Sequence, residues 1–391
     1  MVFNDDKLFY YIIEDEENTI ENIKEIVDLY YDLGKVVEVK KLDIGNSNFN
    51  YFVTTEKDGK KVKYFAQLFS TSKTIKALKF ELALREYYIR NNKSKLECAE
   101  VYLTKDGGYT VACECTDIGM VRYFCMFTFL EGISQPREDW DGGKISKELI
   151  CGCAKGIARY HTGAYGFTPP EGCESIAVSY EDELKNYRFV FTEEFERCRK
   201  GSDFEYYDYF GEYQPKLLEI LDRYTQIYLE AKDELPECIC HMDTSPQNYL
   251  FDTDFQPVGI CDLDISKEGP RLFDIAWFIN EGLCSFDPDK MTNSIDPDNV
   301  AIFLDAYDEE IEALGLPAPG KLTDTEREKV MDFFPLVSIM CGFYYIWDYI
   351  LHGNTTNSSD YYMYWGNWTK TIMEYLECHM DEFKSRITGK K

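Results

Sequence analysis

The sequence predicts an α+β fold in two lobes: a small N-terminal lobe on an antiparallel sheet and a larger, mostly helical C-terminal lobe. Strand-like runs fill residues 35–69 and are joined by turn residues. After Glu131-Gly132 the hydrophobic period becomes helical. A chain of 391 residues is too long for one small core and long enough for two lobes around a cleft. The division falls at 1–131 and 132–391.

Residues 19–33, TIENIKEIVDLYYDL, carry apolar side chains at helical spacing and end at Gly34. The runs KVVEVKKLDI, NFNYFVTTE and KKVKYFAQLF follow. Gly45-Asn46-Ser47 separates the first two, and Lys57-Asp58-Gly59, with an Asp-Gly pair suited to a tight hairpin, separates the last two. A helix, TIKALKFELALREYYIRNN, and two more strand-like runs, GYTVACEC and VRYFCMFTFL, complete the first lobe. The helix ISKELICGCAKGIARYHTGAYGF opens the second, and His161 near its end reads as a structural histidine. Residues 173–235, acidic and aromatic, read as an elaboration of that lobe.

Hydrophobic residues make up 45% and charged ones 29%, the balance of a soluble globular protein. No apolar run is long enough to span a membrane, and the acidic opening MVFNDDKLFYYIIEDEEN is unlike a leader, so a cytoplasmic protein with no membrane partner is expected. The 14 cysteines are scattered through apolar segments without matched CxxC pairs and read as buried free thiols rather than a zinc site. With 71 acidic against 42 basic side chains the formal charge is −29. Such a surface repels phosphate backbones, which excludes nucleic acid as a partner, and tolerates metal ions or amines.

The chemistry concentrates in 241-HMDTSPQN-248 and 258-VGICDLD-264. Pro246 and Asn248 mark a loop after the strand-like ECIC, and alternation along PVGICDLD places Asp262 and Asp264 on one side of a strand. Asp243, Asn248 and Asp262 are hard oxygen donors with no soft ligand among them, a set that suits Mg2+. Magnesium held by few protein oxygens takes phosphates as its other ligands, which leaves Asp243 to accept a proton from a hydroxyl.

HMDTSPQN followed by ICDLD and GPRLFDIA resembles the HxDxxxxN, hhDh[DE] and GPxxxD signature of the aminoglycoside phosphotransferase and choline kinase-like superfamily. The segments GNSNFNYF, 126-MFTFLEG-132 and 155-KGIARYH-161 fall in that superfamily's order. The resemblance implies a protein-kinase-like fold and transfer of the ATP γ-phosphate to a hydroxyl of a small molecule. It implies Asp243 as catalytic base, His241 as the brace of the catalytic loop, Asn248 and Asp262 as magnesium ligands, and Asp274 as the anchor of nearby backbone amides. Asp264 becomes a substrate or supporting contact.

On the nucleotide side, Gly45, Asn46 and Ser47 would meet phosphate through backbone amides. The connector, Phe127 included, would give backbone groups to adenine, with Met126 and Phe129 as apolar walls. In the third strand, Gln67 stands where the superfamily has a phosphate-binding lysine, which leaves its helix partner Glu81 without one; Arg85 at i+4 is the local alternative. Lys63 shares the strand face but lies about 13 Å away at strand rise. Gln67 is also the support for the alternative function, a nucleotide- or metabolite-binding pseudokinase. The aromatic stretches 342-GFYYIWDYILHGN-354 and 361-YYMYWGNWTKTIMEYL-376 resemble the region with which choline kinases cage an ammonium. Tyr344, Tyr345 and Trp347 are the candidate walls and Glu281 or Asp348 the candidate charge partner. The acceptor classes are choline or ethanolamine, homoserine, and aminoglycosides or amino sugars.

Overall fold

The computed structural model describes residues 3, 7–15, 18–42, 48–199, 206–343 and 359–389. The first lobe runs β1 (Phe9–Ile13), α1 (Ile20–Tyr30), β2 (Lys35–Leu42), β3 (Phe49–Lys57), β4 (Lys60–Leu68), α2 (Ile75–Asn91), β5 (Glu97–Cys98), β6 (Val101–Tyr102), β7 (Val111–Cys115) and β8 (Met120–Thr128). Its sheet has the order β1-β7-β8-β4-β3-β2, with β6 beside β8. All these pairs are antiparallel except β1 with β7. Strand β1 comes from the acidic opening segment, where the charge pattern hides a strand that is recruited by the edge of β7. The β3–β4 hairpin turns on Asp58 and Gly59, at φ 53° and 74°, the left-handed pair that matches strand twist. It sets Asn50 opposite Gln67.

Strand alternation divides the lobe's apolar residues between two helices. Tyr51, Val53, Ala66, Phe124 and Met126 pack with Ile23, Ile26 and Val27 of α1. Phe69, Cys125 and Phe127 pack with Leu78 and Leu82 of α2. Helix α2 starts where the Thr74 side chain accepts from Ala77 N, an N-cap that stops the chain's extended path after β4.

The second lobe contains β9 (Ile133–Ser134), α3 (Arg137–Trp140), α4 (Lys147–Ala164), α5 (Tyr180–Phe189), α6 (Phe195–Arg199), α7 (Tyr206–Ala231), β10 (Glu237–Cys240), β11 (Tyr249–Phe251), β12 (Pro257–Ile260), β13 (Lys267–Pro270), α8 (Leu272–Phe278), β14 (Cys284–Asp287), β15 (Thr292–Ile295), α9 (Pro297–Leu314), α10 (Asp324–Gly342) and α11 (Ser359–Thr388). The two-lobed α+β architecture is the one the sequence predicts. The lobes are stitched together: β5 pairs with β12, and Phe80, Leu84 and Tyr88 of α2 join the large lobe's core. The segment 173–235 is core rather than ornament. Tyr180 stacks on Phe273 at 3.7 Å, and Tyr187, Phe191, Phe195 and Phe210 are buried in the main cluster. All fourteen cysteines are free thiols. Among the described residues no helix is long and apolar enough to cross a membrane.

Helix α4 approaches the β11–β12 hairpin through a glycine. A Cβ on Gly152 would lie 2.3 Å from the Phe255 carbonyl oxygen and 3.1 Å from the Phe251 ring. Helix propensity alone favours Gly→Ala by about 1 kcal/mol. The clash is with backbone, which cannot swing aside, and overpacking costs about 1–3 kcal/mol. Gly152→Ala is therefore expected to destabilise, with a lower urea midpoint at unchanged slope; a raised midpoint would show that the contact relaxes.

Candidate active site

The loop after β10 is held by one carboxylate. Asp274, near the start of α8, accepts from His241 N at 2.7 Å (Oδ2) and from Met242 N at 2.8 Å (Oδ1), while its own carbonyl accepts from the Thr244 hydroxyl at 2.8 Å. His161 Nε2 lies 2.9 Å from Asp274 Oδ2, and its Nδ1 lies 2.9 Å from the Tyr307 hydroxyl. Met242 sits at φ 69°, an uncommon conformation for a side-chain-bearing residue, held here by the bond from its amide. His241 is fully buried: Nε2 donates to the Cys261 carbonyl at 2.8 Å, so Nδ1 is the acceptor that receives Asp243 N–H at 3.2 Å. Both ring nitrogens are committed, so the imidazole ties Cys261 to the backbone of Asp243.

Asn248 joins the two acidic segments. Its Nδ2 donates to the Asp243 carbonyl at 2.9 Å, and its backbone carbonyl accepts from Cys261 N at 2.9 Å, one residue before Asp262. With the nitrogen so engaged, the amide oxygen is the end available to a cation. Strand alternation does not place Asp262 and Asp264: β12 ends at Ile260, and Asp262 turns the chain at φ 59°. They are nevertheless neighbours. The Asp264 carboxylate, then burial and the charges of Asp243 and Glu81, push the Asp262 pKa well above the ordinary carboxylate value, with Lys73 pulling the other way. Burial raises Asp264 too, again opposed by Lys73. Crowded carboxylates, Asp262 exposed and Asp264 half-buried, are a hard-oxygen set short of positive charge, and a divalent cation fits it. Among the described residues no three His, Cys, Asp or Glu side chains form a metal cage by themselves, so such an ion would complete its shell with substrate oxygens.

On the opposite side of the cleft, Gln67 is buried and donates to Asn50 Oδ1 at 3.1 Å. Glu81 does have a lysine, one the strand register does not reveal: Lys73 Nζ lies 2.7 Å from its Oε2, with both side chains almost wholly buried. Arg85 takes Oε1 through Nε at 3.0 Å and Nη2 at 2.7 Å. Burial would raise the Glu81 pKa, but Lys73 and Arg85 outweigh it and hold the group down at about 2. Met126 and Phe127 are spent on packing against α1 and α2 respectively, so their side chains do not border a cleft and only their main chain remains to meet a base. Phe129 is half-buried, edge-on to Phe52, and the Lys63 ammonium sits between them, 4.0 Å and 3.9 Å from the two ring centroids. Gly45, Asn46 and Ser47 lie outside the described residues.

Glu281 lies in a wide π-type turn, Ile279–Leu283, that continues α8. Its Oε2 is 3.2 Å from Arg137 Nη2, and Arg137 Nε is 3.1 Å from Asp141 Oδ2. The guanidinium lies 4.7 Å from the Trp365 ring centroid and 5.5 Å from that of Trp140. Burial raises Glu281 to about 7 against the pull of Arg137, and Asp243 and Asp141 add to the rise. The Asp243 charge is thus felt at this wall. Arg137 and Asp141 escape sequence reading because no spacing ties them to Glu281. Tyr344, Tyr345, Trp347 and Asp348 lie outside the described residues, and Trp365 of the second aromatic stretch supplies the ring seen here. A cavity of about 580 Å3 lined by Tyr165, Glu181, Lys232, Glu237, Cys238 and Glu268 holds none of these groups, so its size does not make it the site.

A kinase-like pair of lobes with an acid-bearing loop and a glutamate–lysine pair between them defines a phosphotransferase of small molecules. The chain belongs to the phosphotransferase enzyme family, whose sequence pattern matches residues 38–311. It is 24% identical over 267 residues to a homoserine kinase of Zymomonas mobilis, covering 68% of this chain and 70% of that protein. Its fold is similar to that of an amicoumacin kinase, with TM-score 0.64 and 14% identity over 92% of this chain and 93% of the other. A microcompartment-associated aminopropanol kinase gives TM-score 0.62 at 14% identity over 94% and 100%. The choline kinase of Cryptosporidium parvum gives 0.60 at 13% over 95% and 99%.

Removing the Asp274 carboxylate leaves two buried amides and a buried imidazole without their acceptor. Asp274→Ala is expected to cost about 3–5 kcal/mol. Chemical denaturation measures this, and a loss below about 1 kcal/mol would mean the loop holds itself.

Proposed function

We propose that this enzyme transfers the γ-phosphoryl group of ATP, with Mg2+, to a hydroxyl of a small amine-bearing molecule. The observation that carries this reading is the stitching by Asn248, which brings Asp243 and the Asp262 segment to one place through two hydrogen bonds. Asp243 orients the acceptor hydroxyl and takes its proton, since the neighbouring imidazole has no free nitrogen. Asn248 and Asp262 would hold the magnesium ion, which when bound bridges and neutralises the phosphates. The protein's own contribution is alignment and fixed charge, with little covalent chemistry to perform.

The amine preference comes from the acceptor flank. Asp141 and Glu281 put two carboxylates on one guanidinium, with indole rings beside it and the Asp243 charge acting on Glu281. Such a wall draws a cation. The names of the relatives, homoserine, aminopropanol and choline kinases, all belong to amino alcohols. The pseudokinase alternative loses its footing, because a buried ammonium stands beside Glu81 despite Gln67.

An acceptor panel with Mg-ATP, read as ADP release, tests the assignment. Turnover with an amino alcohol or amino sugar is expected; ATP binding with no transfer to any hydroxyl compound would overturn it. Asp243→Asn should lower turnover by about 10³-fold while Mg-ATP still binds, and wild-type-like turnover would reject the base role. Glu281 is neutral below about 7 and ionised above it. The KM of an amine acceptor should therefore fall as the pH rises through that value, and Glu281→Gln should flatten the profile; a profile that keeps its slope would remove Glu281 from the acceptor wall.

A further inference from the structure

Glu81 has one cation more than it needs. Arg85 already neutralises it with two donors on Oε1, yet Lys73 is also buried at Oε2. Burying an ammonium is costly, so a second one beside a satisfied carboxylate calls for another partner. The trio of Lys73, Glu81 and Arg85 carries a net positive charge. Lys73 Nζ also lies 3.4 Å from the Asp264 carbonyl oxygen, on the far side of the cleft in sequence but next to the acidic segment in space. An ammonium has three donors. The Asp264 carbonyl takes one, and Glu81 stands at ion-pair distance, which leaves the ammonium a donor for a further acceptor. Gln67 cannot compensate from the strand, because its amide nitrogen is turned to Asn50.

We propose that Lys73 is the phosphate-binding cation of this enzyme, supplied from the β4–α2 connection instead of from strand β4, and that Gln67 is a structural tie to Asn50. The assignment rests on the ATP-dependent reading above. In this arrangement the ammonium reaches Glu81 from the N-terminal end of α2, one residue before the Thr74 cap, so its position depends on the helix start rather than on the sheet register. Its unused donor meets a phosphate oxygen at the cation site, and Glu81 orients it. Lys73 is then both the link between α2 and the Asp264 segment and the charge that a nucleotide finds there.

The test compares Lys73→Met, Lys73→Arg and the double variant Lys73→Met/Gln67→Lys with the wild type. Affinities for Mg-ATP and for adenosine, which has no phosphate, are measured by calorimetry. Lys73→Met should weaken Mg-ATP about 10- to 100-fold and leave adenosine binding unchanged. Lys73→Arg keeps the charge and should lose less, and the double variant should recover part of the loss by returning an ammonium to the strand. Should Lys73→Met fail to fold, the other two variants decide. Equal losses for Mg-ATP and adenosine would show Lys73 to be only an anchor of α2 and overturn the proposal, as would unchanged Mg-ATP affinity in Lys73→Met. A wild type that binds no Mg-ATP overturns the kinase reading as well, whereas a binding wild type with an indifferent Lys73 overturns this assignment alone.

Discussion

The Asp274 carboxylate, with no exposure to solvent, accepts from two consecutive backbone amides and faces an imidazole. An ionised carboxylate removed from water costs several kcal/mol unless its lone pairs are used, and here the donors are those of the loop that bears Asp243. The constraint acts in both directions. The acid is stabilised by the loop, and the loop is held in a left-handed turn at Met242 that it would not otherwise adopt. His161 carries the network onward to Tyr307 of α9, and Tyr307 accepts from Arg271 at 3.3 Å. Arg271 is itself fully buried in a bidentate pair with Glu326 of α10. The position of Asp243 is therefore referred to helices α4, α8, α9 and α10 together.

Electrostatics gives the cleft its second organising feature. The molecule is strongly acidic, yet the carboxylates near the site are distributed so that each is either matched or left waiting. Glu81 is matched twice, by Lys73 and Arg85, and is held ionised. Asp262 and Asp264 crowd each other and are pushed toward the neutral form. A site of this kind has low intrinsic affinity for protons only when a cation is present, so a cation held there would be coupled to its ionisation. The acceptor flank repeats the pattern more weakly, with Arg137 shared between Glu281 and Asp141.

Much of this was legible in the chain. The Asp58-Gly59 turn sets the β3–β4 register by local sterics, and the spacing from His241 to Asn248 keeps the loop short enough for one side chain to bridge it. Other parts were not. Asp262 and Asp264 alternate in the sequence as a strand would, but the strand stops at Ile260 because Cys261 is already engaged, through its N–H to Asn248 and its carbonyl to His241. Met126 reads from the sequence as a cleft wall, but its side chain is buried under α1, while the next residue, Phe127, turns to the other face under α2. Lys73 lies in a polar connection, STSKT, where nothing in composition separates it from a solvated lysine.

Local chemistry in the sequence determined the two-lobed plan, the hairpin, the oxygen-rich loop and the absence of a lysine at position 67, because each depends on period, turn sterics or residue type over a few neighbours. Which cation meets Glu81, which carboxylates share Arg137 and how the loop amides find Asp274 were decided only by tertiary structure. Apart from the local Arg137–Asp141 pair, they join residues 8 to nearly 150 positions apart, and an ion pair is chosen by distance and burial in space, neither of which the order of residues contains.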